Sequence, residues 1–155
     1  MIDDRLVAFI NEPVMIMLAV AGAQNRPAVA RGVGALCDPQ AGVGVLVSRR
    51  QYPDFTNALA QGGRIAATFC RPTDYTTFQV KGEIRRVAAA SAEEMDIARR
   101  YVGAISAALG ALGVGQALID QWVFPEDLVS LRFTPSALFA QTPGPHAGKP
   151  LGGAE

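Results

Sequence analysis

Short runs of strand-forming residues, cut by Gly, Pro, Asn and Asp, fill most of this chain, and only three stretches turn to helical spacing. Such strands need cover on at least one face, and a chain with few helices must find most of it within its own sheet. Residues 14–20, Val-Met-Ile-Met-Leu-Ala-Val, are an unbroken apolar run that reads as a strand buried on both faces. Residues 27–36 read as one second strand, with Val29, Arg31, Val33 and Ala35 on one side and small residues on the other. Residues 38–42 signal a turn, and residues 43–48 a third strand. Residues 64–70 and 75–87 are two more. In the latter, Phe78, Val80 and Ile84 alternate with Gln79, Lys81, Glu83 and Arg85, and Gly82 marks a bulge or a close backbone approach. The strand over residues 128–139 carries Val129, Leu131 and Phe133.

The helical stretches have legible ends. Asp3 and Asp4 cap a short helix through Leu6, Val7, Phe9 and Ile10, stopped by Asn11-Glu12-Pro13. Phe55, Ala58 and Leu59 share a helix face within residues 52–61, and Gly62-Gly63 ends it. Ser91-Ala92-Glu93-Glu94 is a capping box that opens a helix of about 20 residues. Its expected buried stripe is Ile97, Tyr101, Val102, Ile105, Ala108, Leu109 and Leu112, with Gly110, Gly113 and Gly115 loosening the end. Residues 141–148 are too rich in Pro and Gly for regular structure. The expectation is an α+β protein: a small closed antiparallel barrel with peripheral helices, which hides its strand edges by closing. One domain spans residues 1–140, and a Pro/Gly-rich tail spans residues 141–155.

Charge and rare residues exclude whole classes of chemistry. Fourteen basic and fourteen acidic side chains cancel, which argues against a general nucleic-acid binder or a polybasic membrane-surface protein. Cys37 and Cys70 lie far apart, and His146 is the one histidine. A zinc site of ordinary ligand count, a histidine triad and an HExxH helix are therefore excluded, and no metal is expected. Both thiols read as reduced core residues of a cytoplasmic protein. No P-loop, GxGxxG or GxSxG motif is present. Asp3 and Asp4 stand where a signal peptide would be basic, and the longest apolar stretch is about half a bilayer span.

What remains is polar chemistry set into strands that otherwise resemble core. Arg31 lies mid-strand, Ser48-Arg49-Arg50 ends the third strand, and Gln79 and Lys81 share a face of the long strand with Thr77 one step further. Gly32, Gly34 and Gly44 would let a flat ligand approach the backbone. Arginines for phosphate and backbone groups for ring nitrogens and carbonyls suit a planar, phosphorylated cofactor. The bland readings stand beside this one: a solvated strand end for Arg49 and Arg50, a wet strand face for Gln79 and Lys81, packing or dimer contacts for Trp122.

Residues 14–87 resemble the pyridoxamine 5′-phosphate oxidase-like, FMN-binding split-barrel superfamily. The likeness rests on Pro27-Ala-Val-Ala-Arg31-Gly-Val33, on Val47-Ser48-Arg49, and on Asn57-Ala-Leu59 leading into residues 64–69. Arg71-Pro72-x-x-Tyr75-x-Thr77-x-Gln79-x-Lys81-Gly82 completes the set. The resemblance implies a homodimer with FMN between subunits. It places Arg31, Gly32 and Val33 along the flavin, Val47 and Ser48 at its ribityl phosphate, Arg49 and Arg50 as phosphate ligands, and Gln79 and Lys81 on the strand that nears the cofactor. The oxidase's displaced Ser-Arg-Lys triplet and its substrate-binding C-terminal segment are missing. The implied activity is thus an FMN-dependent oxidoreductase acting on another small organic substrate. Its alternatives are a non-catalytic flavin- or haem-binding dimer of the same fold and a deazaflavin-dependent reductase. No residue stands out as a general acid or base.

Overall fold

The structure, a computed structural model, describes residues 2–151. After helix α1 (Asp4–Ile10), strands β1 (Met15–Ala21) and β2 (Pro27–Arg31) form a hairpin, and β3 (Ala35–Asp38) and β4 (Gly42–Ser48) form a second. Helix α2 (Pro53–Leu59) leads into β5 (Arg64–Cys70) and the long β6 (Thr77–Ala89). Helices α3 (Ala92–Ala111) and α4 (Gln116–Trp122) precede β7 (Leu128–Ala140) and the two-residue β8 (Lys149–Pro150). All pairings are antiparallel, in the order β2-β1-β5-β6-β7-β4-β3, with β8 on β7.

The two ends of that path, β2 and β3, are consecutive in the chain. Between them, Gly32 N–H donates to the Ile16 carbonyl of β1, and Val33 N–H to the Leu46 carbonyl of β4. The sheet thereby curls into a barrel, with its split at this corner. The single strand expected over residues 27–36 is broken here, and the reason is steric. A Cβ on Gly32 would lie 2.7 Å from Ile16 Cγ2 and 2.8 Å from Val45 Cγ1. Gly34 takes φ +145° with the Ala98 backbone of α3 close behind, and a Cβ on Gly44 would meet Arg132 at 2.9 Å. These glycines make room for the protein's own side chains. The expectation that they open the backbone to a flat ligand is corrected.

Burial separates β1 from β4. β1 was expected to be buried on both faces, yet it alternates: Ile16, Leu18 and Val20 enter the core, while Met17 stays 39% exposed. β4 is the strand enclosed on both sides, with Val43, Val45, Leu46 and Val47 fully buried. Helix α3 buries a stripe of Ala98, Tyr101, Ile105 and Leu109. The Tyr101 hydroxyl donates to the Val14 carbonyl at 2.8 Å, tying that helix to the start of β1. Leu112, expected in the stripe, is exposed because the helix ends at Ala111 and Gly113 (φ +88°) turns the chain into α4.

Local signals at the other ends are met. Asp3 accepts from Leu6 N–H at the start of α1, and both bonds of the Ser91/Glu94 capping box are present. The register of β6 against β7 shifts between Lys81 and Gly82, where a Cβ on the glycine would run into the Thr134 backbone. Residues 141–148 form no strand or helix, and Lys149 and Pro150 then pair with the far end of β7. Residues 152–155 of the expected tail lie outside the described residues. No described helix is long and apolar enough to cross a membrane.

Candidate ligand-binding site

The open side of β1 belongs to a broader surface. Cross-strand register lines up Arg31, Met17, Thr68, Gln79 and Phe139 in one row across β2, β1, β5, β6 and β7. The next row is Val29, Ala19, Ala66, Lys81 and Ala137. Side chains in one row of a pleated sheet share a face. The face is therefore apolar and low in relief, with Val29 58% exposed and a few polar groups set into it.

Three of the candidate residues meet there. Arg31 is half-buried, its guanidinium 4.8 Å from the centre of the Trp122 ring at the end of α4. Gln79 donates to the Thr68 hydroxyl at 3.0 Å, and the Lys81 ammonium lies 4.7 Å from the Phe139 ring. Among the described residues neither Arg31 nor Lys81 is ion-paired.

The others are placed differently. Gly32, Val33, Val47 and Ser48 lie beneath the surface, packed into the barrel and its corner. The Ser48 hydroxyl accepts from Gln51 N–H at 3.2 Å, so it shapes the turn after β4. Arg49 grips Asp127 with two bonds at 3.0 and 3.3 Å, and Arg50 meets Glu126 at 3.1 Å. Both pairs are largely solvated, where such bridges contribute about 0–1 kcal/mol.

The same turn opens onto a groove that the sequence reading missed. About 610 Å³ of space lies beside β2 and α2, lined by Arg26, Ala28, Val29, Gln51, Tyr52, Asp54 and Asn57 among others. That volume falls within the roughly 300–1,000 Å³ of small-molecule sites. Gln51 donates through Nε2 to the Gln121 carbonyl at 2.6 Å, while its Oε1 is buried with no hydrogen-bond partner. An orphaned buried acceptor costs about 1–3 kcal/mol. Gln51 follows the Ser-Arg-Arg triplet directly, but nothing in a one-dimensional pattern distinguishes it from a solvated glutamine.

The Cys37 thiol offers little reactivity. Burial, and after it the charge of Asp38, pushes the Cys37 thiol up to about 11, which leaves it protonated and a poor nucleophile. Among the described residues no group of three His, Cys, Asp or Glu side chains could hold a metal.

No family model matches this sequence. No curated protein matches it either. Solved structures do. An F420 reductase superposes with a TM-score of 0.59 at 14% identity, over 88% of this chain and 98% of the other. HutZ, the heme storage protein from Vibrio cholerae, gives 0.52 at 18% identity over 89% and 93%. A Lactobacillus delbrueckii protein provisionally assigned as a pyridoxamine 5′-phosphate oxidase gives 0.54 at 12% identity over 90% and 93%. The fold is the pyridoxamine 5′-phosphate oxidase-like split barrel. At such identities it is the fold that is shared. It leaves the chemistry of the face and groove to this chain's own residues.

Proposed function

We propose that this chain is a dimeric flavin-binding protein, an FMN-dependent oxidoreductase acting on a small organic molecule. The observation that carries the reading is the groove of about 610 Å³ beside β2, lined by Gln51 and by the exposed Arg26. A ribityl chain brings several hydroxyl groups to the polar side chains of that lining. Arg26, exposed and free of ion pairs among the described residues, lines the same groove and suits a phosphate. Arg49 and Arg50 would add to that anchor by exchanging Asp127 and Glu126 for the phosphate, a small loss for solvated pairs.

Val29 lies in both the groove wall and the apolar face, so a flat ring carried from one reaches the other. Arg31, fixed by Trp122, places a positive charge at the margin of that face and favours negative charge on a ring beside it. Bound FMN would supply two-electron chemistry at its N5. Gln79, on the far strand β6, would meet the cofactor of a second copy across a shared seam along the row of Arg31, Met17, Thr68 and Phe139. Apolar side chains left open to water along that row, Met17 among them, are the kind of surface that a second subunit covers.

The test is a titration with FMN followed in the visible spectrum. Wild-type protein is expected to bind, Arg31→Ala to weaken binding by about 1–3 kcal/mol, and Gln51→Leu to weaken it with the fold retained. A colourless protein with no FMN affinity overturns the reading. Binding without turnover of NAD(P)H or dye acceptors would make it a carrier, and tighter binding of a deazaflavin would change the cofactor.

A further inference from the structure

Beyond Lys81 the sheet face carries a second, shallow groove of about 610 Å³ that is open to solvent. Ala19, Ala66 and Ala137, from three strands and one cross-strand row, form its floor, with Pro27 at the side. Its polar lining is Asn25, Arg64, Lys81 and Ser136, and no carboxylate lines it. Glu83 stands opposite Arg64 in register, but its carboxylate is paired with Arg85 at 3.0 Å. Among the described residues neither Arg64 nor Lys81 has an acidic partner.

Lys81 pairs with Ala66, two residues from Arg64 on the same face. The two cations are thus diagonal neighbours, roughly 7–8 Å apart at the backbone, and the Lys81 ammonium, which rests over the Phe139 ring of β7, would swing toward Arg64 to share one anionic group. Two unpaired cations above a floor of methyl groups select for charge at one end of a ligand and for a flat apolar body at the other.

We propose that this groove binds a flat organic anion, its carboxylate, sulfonate or phosphate group held by Arg64 and Lys81 and its ring system laid on Ala19, Ala66 and Ala137. Such an anion is the substrate class of the oxidoreductase. That assignment rests on the flavin reading, whereas the binding site rests on its own residues. Calorimetry on the flavin-free protein, with 2-naphthoate against the neutral 2-naphthalenemethanol, tests it. Naphthoate is expected to bind at least tenfold more tightly than the alcohol, and the preference is expected to shrink in concentrated sodium chloride. Arg64→Gln and Lys81→Gln should each weaken naphthoate several-fold and together abolish the preference, while Arg100→Gln on α3 leaves it intact. Equal affinity for the two probes, or a preference untouched by the double substitution, overturns the inference. Retained FMN binding in that case isolates the failure to this groove, and a naphthoate preference without FMN affinity isolates it to the cofactor.

Discussion

Glu94 shows how much one side chain joins in this barrel. Its carboxylate accepts from Ser91 N–H within the cap of α3, from the Ser130 hydroxyl at 2.7 Å and from Arg132 at 3.1 Å on β7. Burial by itself would raise its pKa, yet those three donors outweigh burial and hold the carboxyl below its ordinary range. A carboxyl depressed by folding stabilises the native state above its unfolded pKa, and that stability is lost as pH falls through the folded value. Glu94→Gln is expected to cost on the order of 1–3 kcal/mol at neutral pH. It should also flatten the acid limb of a stability-against-pH curve from urea melts. An unchanged acid limb would mean that the carboxylate is free in the native state. Capping of this kind is written locally, so Ser91 to Glu94 was legible in sequence. The long-range partners Ser130 and Arg132 were not, because nothing local links residue 94 to β7.

At the scale of elements, the boundaries that a single residue type decides were read well, and those decided by a neighbouring element were missed. Residues 64–70 emerge as β5, and the Gly82 bulge falls where the alternation pointed. The break at residues 32–34 was invisible because Val33 continues the alternation. What breaks the strand is the approach of Ile16 and Val45 from two other strands. The same applies to the faces of β1 and β4: a run of apolar residues does not say which strand will be enclosed on both sides. Close approach makes these glycines sensitive. Gly82→Ala sets a Cβ against the Thr134 backbone carbonyl, which has little room to yield. It should therefore destabilise more than Gly32→Ala, where side chains give way at a cost of about 1–3 kcal/mol. Chemical denaturation of the two variants checks the order, and a Gly82→Ala protein as stable as wild type would contradict the packing.

For the whole molecule, the sequence pointed to a small barrel with peripheral helices, and the split barrel is what the chain forms. Of the candidate residues, Arg31, Gln79 and Lys81 share one face, Arg49 and Arg50 are occupied by acids 76 to 78 residues away, and Ser48 is internal. Spacing along a strand fixes which face a residue takes, whereas ion pairs across the barrel depend on closure. The groove at Gln51 and the stacking of Trp122 on Arg31 arise from closure too. If the open face is a seam between two copies, an acidic residue at its centre should part them and leave each barrel folded. Met17→Asp, at an exposed position, is expected to yield a monomer with wild-type secondary structure and with FMN affinity reduced by at least tenfold (about 1.4 kcal/mol).

Sedimentation velocity of the wild-type protein with FMN, followed at the flavin's visible absorption band, tests the shared seam most directly. The flavin colour is expected to travel with a two-chain species and to leave it in Met17→Asp. Colour that travels with a single chain, or stays with the free cofactor, would contradict a flavin seated between two barrels.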